Sequence, residues 1–218
     1  FLLRWFLVNV IILNTRPKKS AKAYQKIWWE EGSPLIVLTK RLLKKLQKKL
    51  DFPVAMAMRY GSISIEKGIR ELIDLNVDKI SILPMYPHYA MSSYESVVEK
   101  VKSVMDHHYQ DVNISIIKPF YDSPDYIDVM SKKIKNHLNG IDYDHILFSY
   151  HGIPESHIKY SDPTNKHCLM NNNCCSTLSD AHATCYRHQV LKTTQCIVDK
   201  LNISDDKYSI SFQSRLGN

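Results

Sequence analysis

Short apolar runs alternate along the chain with longer stretches in which apolar residues recur every three or four positions. The runs read as buried strands and the longer stretches as amphipathic helices. After an almost wholly apolar opening, residues 1–13, a basic turn at Arg16-Pro17-Lys18-Lys19 leads to a helix expected from Ser20 to Glu31 and another from Leu35 to Leu50. Strands are then predicted at Pro53–Met58, Lys79–Leu83, Val112–Ile117, His145–Phe148 and Tyr208–Phe212. Between them the spacing predicts helices over Ser64–Leu75, Ser93–His108, Pro124–Leu138 and Ala183–Leu201, with a long loop at 150–180. Such alternation implies right-handed βαβ units and parallel pairing, an α/β protein. The pattern pauses at Pro119–Asp125, so two similar halves are expected, 1–122 and 123–218.

Parallel pairing has a chemical consequence: it gathers the carboxyl ends of the strands on one edge, where ligands bind in open α/β sheets. The predicted strand ends carry Arg59-Tyr60-Gly61, Tyr86-Pro87-His88-Tyr89, Lys118 with Tyr121, and His151. His151 follows the apolar run Ile146-Leu147-Phe148 and precedes Gly152-Ile153-Pro154, which turns the chain and stops the strand. An imidazole in that position can act as a base or as a metal ligand.

Composition narrows the partners. The 218 residues carry a net charge of +7, with 44% hydrophobic and 23% charged residues, as in an ordinary globular protein. No apolar run reaches the length of a membrane span, and no nucleic-acid-binding motif accompanies the charge. Much of it lies in Lys40–Lys49, whose leucines fall on one helical side, so a solvated basic face is expected. Four of the five cysteines, Cys168, Cys174, Cys175 and Cys185, cluster in one loop with His167, His182 and His188 nearby; Cys196 stands apart within a predicted helix and is expected in the core. Without a secretory signal they do not read as a disulfide framework. Four thiolates suit a 2Fe-2S cluster or structural zinc, with reduced thiols as the alternative.

Phe-Ser-Tyr-His-Gly-Ile-Pro-Glu at 148–155 resembles the signature around the essential histidine of the ferrochelatases, enzymes that insert ferrous iron into protoporphyrin IX to form protohaem. Arg59-Tyr60-Gly61, Leu83–Tyr89 and Ser211–Arg215 resemble further segments of that family in the same order. The resemblance implies two similar Rossmann-like, three-layer halves with parallel sheets and a cleft between them, the second half truncated. It matches His151 to the histidine that binds iron or takes pyrrole protons. Arg16, Tyr24 and Ser33 match porphyrin contacts, and Arg59, Tyr60, Tyr86 and His88 match cleft residues near the macrocycle or the metal path. Residues 1–13 then resemble a porphyrin lip able to touch a membrane surface, in a protein expected in the cytoplasm. Some members carry a 2Fe-2S cluster on cysteines such as those of 161–186. Relative to the family the chain reads as incomplete, lacking a first strand and the end of the second half. The alternatives are a porphyrin- or haem-binding protein without insertion activity, or a chelatase for coproporphyrin or another tetrapyrrole.

Overall fold

The structure is a computed structural model that describes residues 6, 10, 13–109 and 112–214, apart from the side chains of 13–16, 18 and 19. The lip expected at 1–13 and the family segment's Arg215 fall almost wholly outside the described residues, as does the side chain of Arg16. The described chain forms two compact units, 1–77 and 78–218.

In the first unit, helix α1 spans Leu13–Gln25, α2 Pro34–Gln47 and α3 Ile65–Ile73. The expected helix at 20–31 thus starts earlier and ends at Gln25. Trp29 and Gly32 exchange both backbone hydrogen bonds there, at 3.0 Å, in a tight turn that Gly32 permits with φ +114°. Pro34 then opens α2 at its first position, where no N–H is needed. Along α2, Leu43 and Leu46 are half-buried while Lys40, Lys44 and Lys45 are exposed, so the basic face is solvated as expected. Ser64 caps α3 by accepting the Lys67 N–H at 3.2 Å. The strand expected at Pro53–Met58 does not form. The segment makes a single bridge, Met58 to Ser64, and no ladder among the described residues. It packs instead on α3, where a Cβ added to Gly68 would stand 3.0 Å from the Ala57 Cβ.

The second unit follows the expected alternation. Strand β1 spans Lys79–Ile82, α4 Ser96–His108 after a wide turn at Met91–Glu95, β2 Asn113–Ile116, α5 Pro124–Leu138 and β3 Ile146–His151. A short helix α6, Glu155–Tyr160, lies in the region read as loop, followed by α7 over Tyr186–Leu201 and β4 over Tyr208–Gln213. Strands β1 and β2 pair in parallel with Lys79 opposite Asn113. Strands β3 and β4 pair in parallel with Ile146 opposite Tyr208 and His151 opposite Gln213. The strand ends therefore sit on two two-stranded sheets rather than along one sheet edge.

Helix α7 is the core of this unit. Val190, Thr193, Thr194, Ile197 and Val198 are each at most 2% exposed, as is Gln189. Along β3 the burial alternates with period two: Ile146, Phe148 and Tyr150 are half-buried, while Leu147, Ser149 and His151 are exposed on the other face. Tyr150 donates to Thr194 Oγ1 at 2.8 Å, since that hydroxyl spends its own proton on the Val190 carbonyl, which places the inner face of β3 against α7. Cys196 is half-buried on α7 rather than fully in the core. Replacing Ile197, 2% exposed, with Ala is expected to cost about 2–4 kcal/mol in denaturant unfolding, while Leu178→Ala, at a side chain 95% exposed, changes stability by less than about 0.5 kcal/mol.

Candidate active site

Helix α7 places three groups of residues. The first surrounds His88, which β1 delivers through Pro84-Met85-Tyr86-Pro87. Its Nε2 lies 2.9 Å from Thr193 Oγ1, and Thr193 donates its single proton to the Tyr121 carbonyl at 2.6 Å. His88 Nε2 therefore carries the proton, and Nδ1 keeps its lone pair. Tyr150 and Tyr186 stand edge-on to the imidazole at 5.9 and 6.0 Å. Burial among these rings lowers the His88 pKa to about 4, so the ring is a neutral imidazole at pH 7. Next to it the Tyr89 N–H donates to Gln189 Oε1 at 2.7 Å, and Gln189 Nε2 donates to the carbonyls of Ala183 at 2.9 Å and His182 at 3.1 Å.

The second group is the end of β3. The His151 side chain is exposed on the open face, while its backbone is held on both sides. The Gly152 N–H donates to the Gln213 carbonyl at 2.6 Å, and the His151 carbonyl accepts from the Tyr186 hydroxyl at 2.9 Å. A Cβ on Gly152 would stand 3.4 Å from the Gln213 oxygen and from the Ser214 Cβ, a close approach that favours glycine.

The third group is the cysteine loop. Cys168, Cys174 and Cys185 are buried at 2–4% exposure, and Cys175 is half-buried. Cys185 precedes α7 as its cap, accepting the His188 N–H. Its thiol lies within hydrogen-bond reach of both Cys175 and Cys168, and Cys174 is close enough to raise the pKa of both. The Cys175 hydrogen bond leads in bringing Cys185 down to about 6, against burial and with help from the helix N–H groups, whereas burial leads in pushing Cys168 up to about 12. Histidines pin the backbone here. His167 and His182 donate through Nε2 to the Cys174 carbonyl at 2.7 and 3.0 Å, and His188 donates through Nδ1 to the Cys175 carbonyl at 2.8 Å. The rings of His182 and His188 stack at 3.5 Å.

Asp162 holds the other end of the loop. Its carboxylate accepts the N–H groups of Thr164, His167 and Cys168 at 2.8–2.9 Å and the Thr164 hydroxyl at 2.7 Å. Burial alone would raise its pKa, but these bonds outweigh it and hold the group well below the usual carboxylate range. They also sustain Leu169 at φ +62°, a left-handed conformation costly for a branched side chain. Three of the four thiols are buried, and among the described residues no group of three or more His, Cys, Asp or Glu side chains is arranged to hold a metal ion.

The remaining expected site residues belong to the first unit or to exposed loop. Tyr24 and Tyr60 are exposed at 58% and 75%, Ser33 precedes α2, and the Arg59 guanidinium stacks over the Tyr60 ring at 4.7 Å. Tyr86 is 38% exposed.

The comparisons with known proteins agree over nearly the whole chain. The family model for ferrochelatase matches residues 2–218. The chain belongs to the ferrochelatase family. It is 44% identical over 216 residues to the ferrochelatase of Pseudomonas fluorescens, covering 98% of this chain and 63% of the relative. The ferrochelatase of Opitutus terrae is 40% identical over 215 residues, again with 98% of this chain and 62% of the relative covered. The chain thus spans less than two thirds of the length of these relatives. Among solved structures, SirB from Bacillus subtilis with Fe3+ superposes with a TM-score of 0.54 at 15% identity, over 83% of this chain and 60% of that one, which shows a shared fold. Strand-end placement drew attention to His151 and His88, and clustering drew attention to the cysteines, before the ferrochelatase resemblance added to both; Tyr186, Gln189, Thr193 and Asp162 carried no signal in the sequence beyond their place beside those residues.

Two outcomes follow. The unfolded chain binds a proton at His88 below about pH 6.5, and the folded chain does so only below about pH 4. Stability is therefore full above pH 6.5 and falls by up to about 3 kcal/mol as pH drops to 4, and His88→Gln flattens that slope in melts run between pH 7 and 4.5. Asp162→Ala leaves buried N–H groups unpaired and is expected to cost about 2–4 kcal/mol, with Cys168 becoming open to a thiol reagent before global unfolding.

Proposed function

We propose that the full-length protein is a ferrochelatase acting on protoporphyrin IX, a lyase of haem biosynthesis, with His151 as the residue that meets the substrates. The observation that carries this reading is an exposed imidazole at the carboxyl end of a parallel strand, within the Phe148–Glu155 segment of a ferrochelatase-family chain. Insertion replaces two pyrrole N–H bonds with bonds to iron: ferrous iron enters, two protons leave, and the iron sheds its waters. A neutral imidazole can accept one of those protons or bind the iron through the same lone pair. It performs one of these roles at a time, and His151 is assigned to this exchange in either role. His88, neutral and already donating through Nε2, offers Nδ1 as an acceptor along the proton or metal path. Tyr86 belongs beside it.

Binding the macrocycle falls to the first unit in this reading. Arg16 supplies a cation for a propionate, Tyr24, Ser33, Arg59 and Tyr60 contact the porphyrin, and residues 1–13 form its apolar lip and a peripheral membrane contact. No helix among the described residues is long and apolar enough to cross a membrane. The halves 1–122 and 123–218, a division other than that of the compact units 1–77 and 78–218, are read as the two chelatase-like domains, and the protein works in the cytoplasm. Cys168, Cys174, Cys175 and Cys185 would hold a 2Fe-2S cluster, which when bound supplies a rigid, redox-active tether for the loop. Asp162 and the three histidines hold the loop backbone in place for it.

An anaerobic insertion assay on the full-length protein, followed by loss of porphyrin fluorescence, tests the reading. Turnover with ferrous iron and protoporphyrin is expected, reduced more than about a hundredfold by His151→Ala. Porphyrin binding without metallation would favour a tetrapyrrole carrier instead, and faster turnover of coproporphyrin would reassign the substrate.

A further inference from the structure

The peptide that follows His151 is held at both of its polar ends. In a trans peptide the C=O and N–H point in opposite directions. The Gly152 N–H faces β4 and donates to Gln213 at 2.6 Å, so the His151 carbonyl faces away from the only strand paired with β3 among the described residues. That carbonyl accepts from the Tyr186 hydroxyl at 2.9 Å, a side chain standing where a ladder partner would otherwise be. Tyr186 is itself fixed. It is the first residue of α7, directly after the Cys185 cap, and its ring packs on His88 at 6.0 Å and Phe212 at 6.5 Å. A backbone carbonyl has no proton to give, so the phenol is the donor in this bond.

We propose that Tyr186 is a positioning residue for His151: its hydroxyl, by fixing the carbonyl of the 151–152 peptide, sets the backbone from which the His151 imidazole projects. Tyr186 acts on iron insertion through His151 alone. The inference rests on the proposal that His151 meets the iron. It ties the cysteine loop to the histidine as well, because the same turn of helix carries the Cys185 cap and the Tyr186 hydroxyl.

The test is Tyr186→Phe in the full-length protein, which keeps the ring and removes one oxygen. Its melting temperature is expected to fall by no more than about 4 °C. Iron insertion should slow about ten- to a hundredfold in kcat, with a several-fold rise in KM for ferrous iron and an unchanged KM for porphyrin. Unchanged kinetics would overturn the proposal. A lower kcat with an unmoved KM for iron would also overturn it, because that is the signature of a smaller folded fraction. Should Tyr186→Phe prove too unstable at the assay temperature, the same split is measured at a lower temperature, where the folded form is fully populated. His151→Ala in parallel separates the two readings: if it retains full turnover, the role of His151 fails, whatever Tyr186→Phe does.

Discussion

The second unit depends on buried polar groups along one face of α7 being satisfied. Gln189, Thr193 and Thr194 are at most 2% exposed, and each lies where an unpaired polar atom would cost about 1–3 kcal/mol. Their partners are spread widely in sequence: the Tyr89 backbone and His88, the Tyr121 carbonyl, the Tyr150 hydroxyl, and the carbonyls of 182 and 183. An apolar helix in this place would bury as much surface but would accept many rotations. Directional bonds restrict it to one, and in doing so they set the loop after β1, the inner face of β3 and the end of the cysteine loop against one another.

The chemistry follows from that restriction. His88 donates to a hydroxyl whose proton is already committed, so its tautomer is determined two residues away from the ring. His151 has the opposite environment, an exposed ring on a backbone held at both polar ends. One histidine is buried, neutral and fixed in tautomer; the other is open to ligands.

The cysteine loop shows a similar logic at smaller scale. Two of its thiols, Cys168 and Cys185, lie in an apolar cluster with Ile158 and Ala181, while Asp162 and three imidazoles bond to the loop's backbone. The thiols are crowded enough that ionising Cys185 opposes ionising Cys168 and Cys175.

Much of this was legible in the amino-acid sequence. The apolar run Ile146–Phe148 and the helical spacing along 124–138 and 183–201 arise from local burial, so strands β1–β4, their parallel sense and helix α5 appear close to where the pattern puts them, with β3 running on to His151 into the stretch read as loop. The family motifs were legible because they are contiguous. Tertiary structure decided the rest. Residues 53–58 have a strand's composition but find no neighbouring strand, since a ladder needs a second chain segment that no local pattern encodes. Glu155–Tyr160 looks like loop because a six-residue helix shows too little periodicity. Tyr186, Thr193, Gln189 and Asp162 are ordinary residues by type, and their roles come from hydrogen bonds to groups as far as 105 residues away. Sequence determines which residues are suited to the chemistry; the closing of these long-range polar bonds decides which atoms are free to perform it.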